Sequence, residues 1–298
     1  MVHRTAVVLL LPALLLACAP RVERPDGRLR VVVSILPQAD FVRAVGGGRV
    51  DVTVMVGPGQ SHETYEPTPR QVAELTRATV YFTVGIPLET NLVRRLAESN
   101  PGLRIEDISR AVERIPGPAC HGEHHPGEHD HPVDTADFHT WMSPRNVKAM
   151  CRAIRDTLVR LDPGHRAEYE ANFRRYEGQL DDLDRRIAAI LAPIRGGVLF
   201  VYHPAFGYFC RDYGLRQEAV ETEGKEPSSA RLARLVDEAR ARGVRVIFVQ
   251  PQFAARSAEA LASAIGGAVV AIDPLPENYL REMETMARTI EQHLSAER

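Results

Sequence analysis

The sequence predicts an α/β protein of two doubly wound lobes joined by one long helix. Three observations predict it. Val- and Thr-rich runs of strand length alternate with helical segments, as in sheets built from parallel strands and covered on both faces. That alternation occurs twice, in two separate series. Between the series lies a single stretch with helical periodicity over about seven turns.

The elements follow in order. Met1 to Arg4 is short and basic, and Ala6 to Ala17 is an apolar run of 12 residues, a secretory pattern too short to span a bilayer. It ends Leu15-Leu16-Ala17-Cys18, which resembles a bacterial lipoprotein cleavage box with Cys18 as the lipid-carrying residue. Residues 1–17 are therefore expected to be a signal peptide and 18–28 a polar tether. An N-terminal lobe over 29–163 follows. Leu29–Ile35, Val50–Val56 and Thr79–Val84 read as strands, and Phe41–Val45, Pro69–Ala78 and Glu89–Glu98 as helices. Thr68-Pro69 and Ser143-Pro144 each present an N-cap followed by proline at the first helical position.

Residues 164–193 form the expected linking helix. Tyr169, Phe173, Tyr176, Leu180, Leu183, Ile187 and Ile190 are spaced alternately by four and three, which lines one face of a helix. Gly164 bounds it at one end, Pro193 and Gly196-Gly197 at the other. The second lobe, 194–298, repeats the first pattern. Its strands are Val198–Tyr202, Gln217–Val220, Val244–Val249 and Ala268–Ile272, with helices at Ser229–Arg242 and Arg256–Ile265.

Composition narrows the function. With 37 Lys+Arg against 39 Asp+Glu the formal charge is -2, which gives no footprint for nucleic acid. After Cys18, the chain holds Cys120, Cys151 and Cys210, an odd number that allows at most one internal disulfide.

The histidines carry the chemistry. Between Pro116 and Pro132 stand His121, His124, His125, His129 and His131, interleaved with Glu123, Glu128 and Asp130 and without Ile, Leu, Val or Phe. Such a loop buries no core. Its imidazoles and carboxylates suit zinc or copper, in irregular spacing that reads as an auxiliary collector. Three other residues are placed differently. His203 follows a strand directly, Asp273 closes another strand and precedes Pro274, and His139 lies just before the Ser143-Pro144 helix start. Ligands of open α/β sheets gather at the carboxyl ends of strands. A metal held by His139, His203 and Asp273 would therefore sit in the cleft between the lobes.

Five collinear segments resemble one family: Pro58-Gly-Gln-Ser-His-Glu-Thr-Tyr-Glu-Pro-Thr-Pro69, Asp137-Phe-His-Thr-Trp-Met-Ser-Pro144, His203-Pro-Ala-Phe-Gly-Tyr-Phe209, Glu223-Gly-Lys-Glu-Pro227 and Ile272-Asp-Pro-Leu275. They are similar to the metal-type solute-binding proteins of ABC transporters, in the zinc-uptake branch, from about Leu29 to the C-terminus. The resemblance implies His139, His203 and Asp273 as ligands, and the histidine-rich loop as a zinc-uptake trait. Histidine rather than glutamate at position 203 implies Zn2+ in preference to Mn2+. The family's first ligand is a histidine two residues before Tyr-Glu-Pro. Here an ungapped register places Glu63 in that slot and His62 one residue earlier, so Glu63, His62 or water fills the position.

The expected function is capture rather than catalysis. A monomeric, lipid-anchored extracytoplasmic protein binds zinc and passes it to an ABC permease and its ATPase in the inner membrane. Four protein ligands would retain the ion, whereas a catalytic zinc keeps a water position. Two alternatives stand beside this. One is a surface adhesin or zinc buffer without a transporter. The other is a zinc hydrolase using three ligands, water and Glu63 as base, for which no His-Glu-x-x-His motif is present.

Overall fold

A computed structural model describes residues 27–100, 102–117, 136–221, 228–253 and 256–295. The expected signal peptide, Cys18, Cys120, the five histidines between Pro116 and Pro132 and the Glu223–Pro227 segment lie outside the described residues.

The first lobe holds β1 (Leu29–Val33), α1 (Leu36–Gly46), β2 (Val50–Val54), α2 (Pro69–Thr76), β3 (Val80–Thr83), α3 (Pro87–Ser99), β4 (Arg104–Asp107) and α4 (Pro144–Leu161). Its four strands are parallel in the order β2-β1-β3-β4. Then comes α5 (Arg166–Leu191), the single long helix. The second lobe holds β5 (Val198–Val201), α6 (Gly207–Tyr213), β6 (Arg216–Ala219), α7 (Ser229–Ala241), β7 (Val246–Val249), α8 (Arg256–Ile265), β8 (Ala268–Ala271) and α9 (Tyr279–Ser295). Its parallel order is β6-β5-β7-β8, the same topology again.

Each sheet has one outer face and one inner face. The outer faces are covered by Leu75, Leu92 and Leu96 of α2 and α3 in the first lobe, and by Leu235, Ala239, Leu261 and Ala262 of α7 and α8 in the second. The inner faces share one continuous core that runs through α1, α4, α5, α6 and α9. Tyr169, Phe173, Tyr176, Leu180, Leu183, Ile187 and Leu191 of α5 are all buried in it. At about 1.5–3 kcal/mol for each fully buried large apolar side chain, this helix is part of both lobes' interior and acts as a stiff connection.

Several sequence expectations needed adjustment. Leu29–Ile35 is strand only to Val33, because Pro37 lies at the start of α1 and the chain turns into that helix at Leu36. The strand β4 and the helices α6 and α9 were not expected. β4 reads Arg-Ile-Glu-Asp, pairs with β3 alone at the sheet edge and is half-exposed, so no apolar run marks it. In contrast α9 carries a readable apolar stripe, Tyr279, Met283, Met286, Ala287, Ile290 and Leu294.

Cys151 and Cys210 are free and buried. Burial pushes both thiols well above their usual range, which keeps them protonated and unreactive.

Candidate metal centre

The site is built from loops at the carboxyl ends of strands. His62 and Glu63 lie on the connection between β2 and α2. That connection is tied down by Gln71, whose Oε1 accepts from the Tyr65 hydroxyl at 2.8 Å and from Thr68 N–H at 3.0 Å. The Gln71 amide donates back to Met55 O at 2.8 Å. His139 opens a 3₁₀ turn before α4, and Ser143 caps that helix by accepting from Asn146 N–H. His203 leaves β5 at the middle of its sheet. Its N–H donates to Gln250 Oε1 at 3.0 Å, and the Gln250 amide donates to His203 O at 3.2 Å, which staples the ends of β5 and β7 together.

One atom from each of His62, Glu63, His139 and His203 lies within 4.8 Å of the others. His62 Nε2 is 3.3 Å from His139 Nε2, His139 Nε2 is 3.4 Å from His203 Nε2, and His203 Nε2 is 3.3 Å from Glu63 Oε1. Zinc bonds nitrogen or carboxylate oxygen at about 2.0–2.2 Å. A tetrahedron of that radius has edges of about 3.3–3.6 Å, so three of the six separations match edges of a tetrahedral zinc shell, and all six lie within 4.8 Å.

The surrounding groups aim the rings. His139 Nδ1–H donates to Asp137 Oδ1 at 2.8 Å, and the same oxygen accepts the His139 backbone N–H at 2.8 Å. His203 Nδ1–H donates to Glu221 Oε1 at 2.8 Å. A ring that carries its proton on Nδ1 presents the Nε2 lone pair, and a carboxylate partner strengthens that nitrogen as a ligand. Phe253 stacks on His203 with centroids 4.7 Å apart. Among the described residues His62 has no such carboxylate and its buried Nδ1 has no hydrogen-bond partner; its ring packs edge-on against Phe138 and Trp141. Burial, and then the neighbouring His139 and His203, hold the His62 pKa well below 6.5. The ring is therefore neutral and ready to donate its lone pair near neutral pH.

Exposure differs around the shell. The three imidazoles are 2–3% exposed, while the Glu63 side chain is 19% exposed. Glu63 also lines a cavity of about 530 Å³ with Tyr65, Glu66, Asn91 and Arg95. The cluster meets solvent on that side.

The structure thus brings His62 and Glu63 in together, where the sequence offered them as alternatives for one position. It leaves Asp273 out of the cluster. β7 stands between β5 and β8, so the end of β8 is two strand spacings, about 10 Å, from the end of β5. Asp273 is exposed, and its Oδ1 accepts from Gln252 Nε2 at 2.7 Å and Leu275 N–H at 2.8 Å. The Ile272–Leu275 segment instead joins the lobes: Trp141 Nε1–H donates to Pro274 O at 2.7 Å, and the Tyr279 hydroxyl donates to Trp141 O at 2.7 Å. Sequence reasoning missed Asp137 and Glu221. Asp137 stands two residues before a singled-out histidine, a signal that was available. Glu221 is 18 residues from His203, and only the pairing of β5 with β6 brings them together.

Two α/β lobes joined by one long helix, with a His₃Glu cluster between them, have the architecture of a metal-binding solute-binding protein of the ABC-transporter type. The family model for ZnuA, zinc-uptake complex component A periplasmic, matches residues 31–293, and the chain belongs to that family. A crystal structure of ZnuA is 32% identical and superposes with a TM-score of 0.81, covering 90% of this chain and 99% of that one. A ZnuA deletion mutant with zinc bound gives 32% identity and a TM-score of 0.80 over 89% of this chain and 98% of that one. Among characterised sequences, the zinc-binding lipoprotein AdcA of Streptococcus pneumoniae (strain ATCC BAA-255 / R6) is 27% identical over 296 residues, 94% of this chain. The chain spans 58% of that relative's length. The high-affinity zinc uptake system protein ZnuA of Yersinia pestis is 27% identical over 279 residues, 88% of each chain. The family is one of solute-binding proteins, not of enzymes.

Proposed function

We propose that this chain captures Zn2+ outside the cytoplasm through His62, Glu63, His139 and His203 and delivers it to an ABC-type permease driven by an ATPase. The single observation that carries the reading is the convergence of four ligand atoms within 4.8 Å, with three of their six separations at 3.3, 3.4 and 3.3 Å, lengths that suit edges of a tetrahedral zinc shell. Three nitrogens and one carboxylate also suit zinc better than the oxygen-rich shells manganese favours. The zinc-related names of the relatives AdcA and ZnuA support the same cargo. Lipid attachment at Cys18 holds the chain at the membrane, and the histidine-rich segment collects additional zinc weakly. The chain acts as a monomer.

The test is a zinc titration of the purified chain against a chelating dye, followed by an ATPase assay with its permease in vesicles. One tight zinc per chain, with ATPase stimulation by the loaded form, is expected. Tight binding without stimulation of the permease would leave a zinc buffer. Absence of tight binding would overturn the reading.

A further inference from the structure

The segment His203-Pro-Ala-Phe-Gly-Tyr-Phe209 contributes His203 to the cluster, which leaves Gly207 and Tyr208 unexplained. Both face the other lobe. Gly207 opens α6 with ordinary helical backbone and is not among the left-handed glycines, so conformational freedom is not what its position requires. Space is. A Cβ there would overlap Asp137 Oδ2 and come within 3.3 Å of Ile115 Cδ1. Alanine is the better helix former, so the glycine gives up local helix stability for a close approach to the Asp137 carboxylate. The neighbouring Tyr208 hydroxyl donates to Asp137 O at 2.9 Å and accepts from Ile115 N–H at 3.2 Å. One hydroxyl of the second lobe therefore holds two strands of chain from the first.

Asp137 has little freedom to yield. It is 4% exposed, and its Oδ1 is engaged twice by His139, through the backbone N–H and through Nδ1–H, each at 2.8 Å. Moving the carboxylate turns the imidazole. We propose that Gly207 and Tyr208 are positioning residues that set the aim of His139 from the opposite lobe, acting through Asp137. The inference rests on the reading of His139 as a zinc ligand. It explains why a Gly-Tyr pair follows a ligand histidine by four residues: the segment that supplies one imidazole also fixes the carboxylate that orients another.

The experiment compares the full mature chain with Gly207→Ala, Tyr208→Phe and His139→Ala. Gly178→Ala serves as a control, since a Cβ at this helical glycine meets nothing within 4 Å. Three quantities are read: zinc affinity by chelator competition, the thermal midpoint of the metal-free protein, and the visible absorption of the Co2+-loaded protein. Gly207→Ala should weaken zinc by about tenfold or more, the usual effect of disturbing the partner of a ligating histidine. Its metal-free midpoint should fall modestly, because the added methyl overlaps a buried carboxylate with little room to move, and its cobalt bands should shift. Tyr208→Phe should move affinity and spectrum in the same direction by less, and Gly178→Ala should leave both unchanged. Parent-like affinity and cobalt spectrum in Gly207→Ala would overturn the inference while leaving the metal site intact. So would a fall in its metal-free midpoint with an unaltered spectrum, because that marks a purely structural role. Parent-like zinc binding by His139→Ala would overturn both this inference and the site assignment.

Discussion

His139 Nε2 and His203 Nε2 lie 3.4 Å apart although one belongs to the approach to α4 and the other to the end of β5. Each ring places its Nδ1–H on a buried carboxylate, Asp137 for one and Glu221 for the other. Both Nε2 atoms then present lone pairs to the same point. Two acceptors facing each other in a buried site repel, and a cation between them removes the repulsion. The two lobes therefore bring together a pair of groups that attract a metal more strongly than they attract each other.

Removing either imidazole breaks this pair. His139→Ala and His203→Ala should each weaken tight zinc binding by at least about tenfold, or about 1.4 kcal/mol, by chelator competition. Asp273→Ala should bind within about twofold of the parent, because its carboxylate is engaged with Gln252 and Leu275. A large loss in Asp273→Ala would mean that the end of β8 reaches the metal.

His62 and Glu63 should separate by kinetics. His62 is buried among aromatic rings and Glu63 is the partly exposed member. His62→Ala should cost more affinity, whereas Glu63→Ala should act mainly by speeding zinc release on the side of the cavity. Stopped-flow release into excess chelator reads the rate directly; a slower release in Glu63→Ala would contradict this geometry.

Glu221→Gln keeps the shape of the side chain and an acceptor for His203 Nδ1–H but removes the charge behind the ring. Loss of such a partner costs about 10–100-fold in affinity, and the conservative change should fall at the lower end. Isothermal titration with zinc tests it, and unchanged affinity would assign Glu221 a packing role only.

Acid should strip the two kinds of zinc in sequence. A proton on an imidazole occupies the lone pair that zinc needs, and an exposed histidine is half protonated near pH 6.5. The His62 pKa is held well below that value, so its ring remains neutral as pH falls from 7.5 to 6. Zinc on the histidine-rich segment should leave over that interval and the cleft zinc at lower pH. Deleting residues 118–132 should remove the weak, acid-labile zinc and keep one tight site. Loss of tight binding on deletion would place the segment in the primary shell.

The stiffness of the connection should show in stability. Leu183 is fully buried on α5 in the core common to both lobes, and Leu183→Ala should cost about 2–5 kcal/mol in denaturant unfolding. A cost near zero would mean that the helix is not integral to that core.

Patterns local in the chain were legible without the fold. The 4-3 spacing from Tyr169 onward marked the long helix because a helical face repeats every 3.6 residues, and α5 spans Arg166–Leu191. The alternation of strand and helix marked the parallel sheets, and His139 and His203 stood out by their position beside a helix start and a strand end. What depended on strand order was not legible. That His62 and Glu63 lie together beside His139 and His203, while Asp273 bonds Gln252 and Leu275, follows from how loops of different strands pack. The Glu221 carboxylate reaches His203, and Gly207 reaches Asp137, across separations of 18 and 70 residues. Sequence periodicity reports which face of an element is apolar. Which side chains meet at the ends of different elements is set by the packing of those elements against one another, and that belongs to the tertiary structure alone.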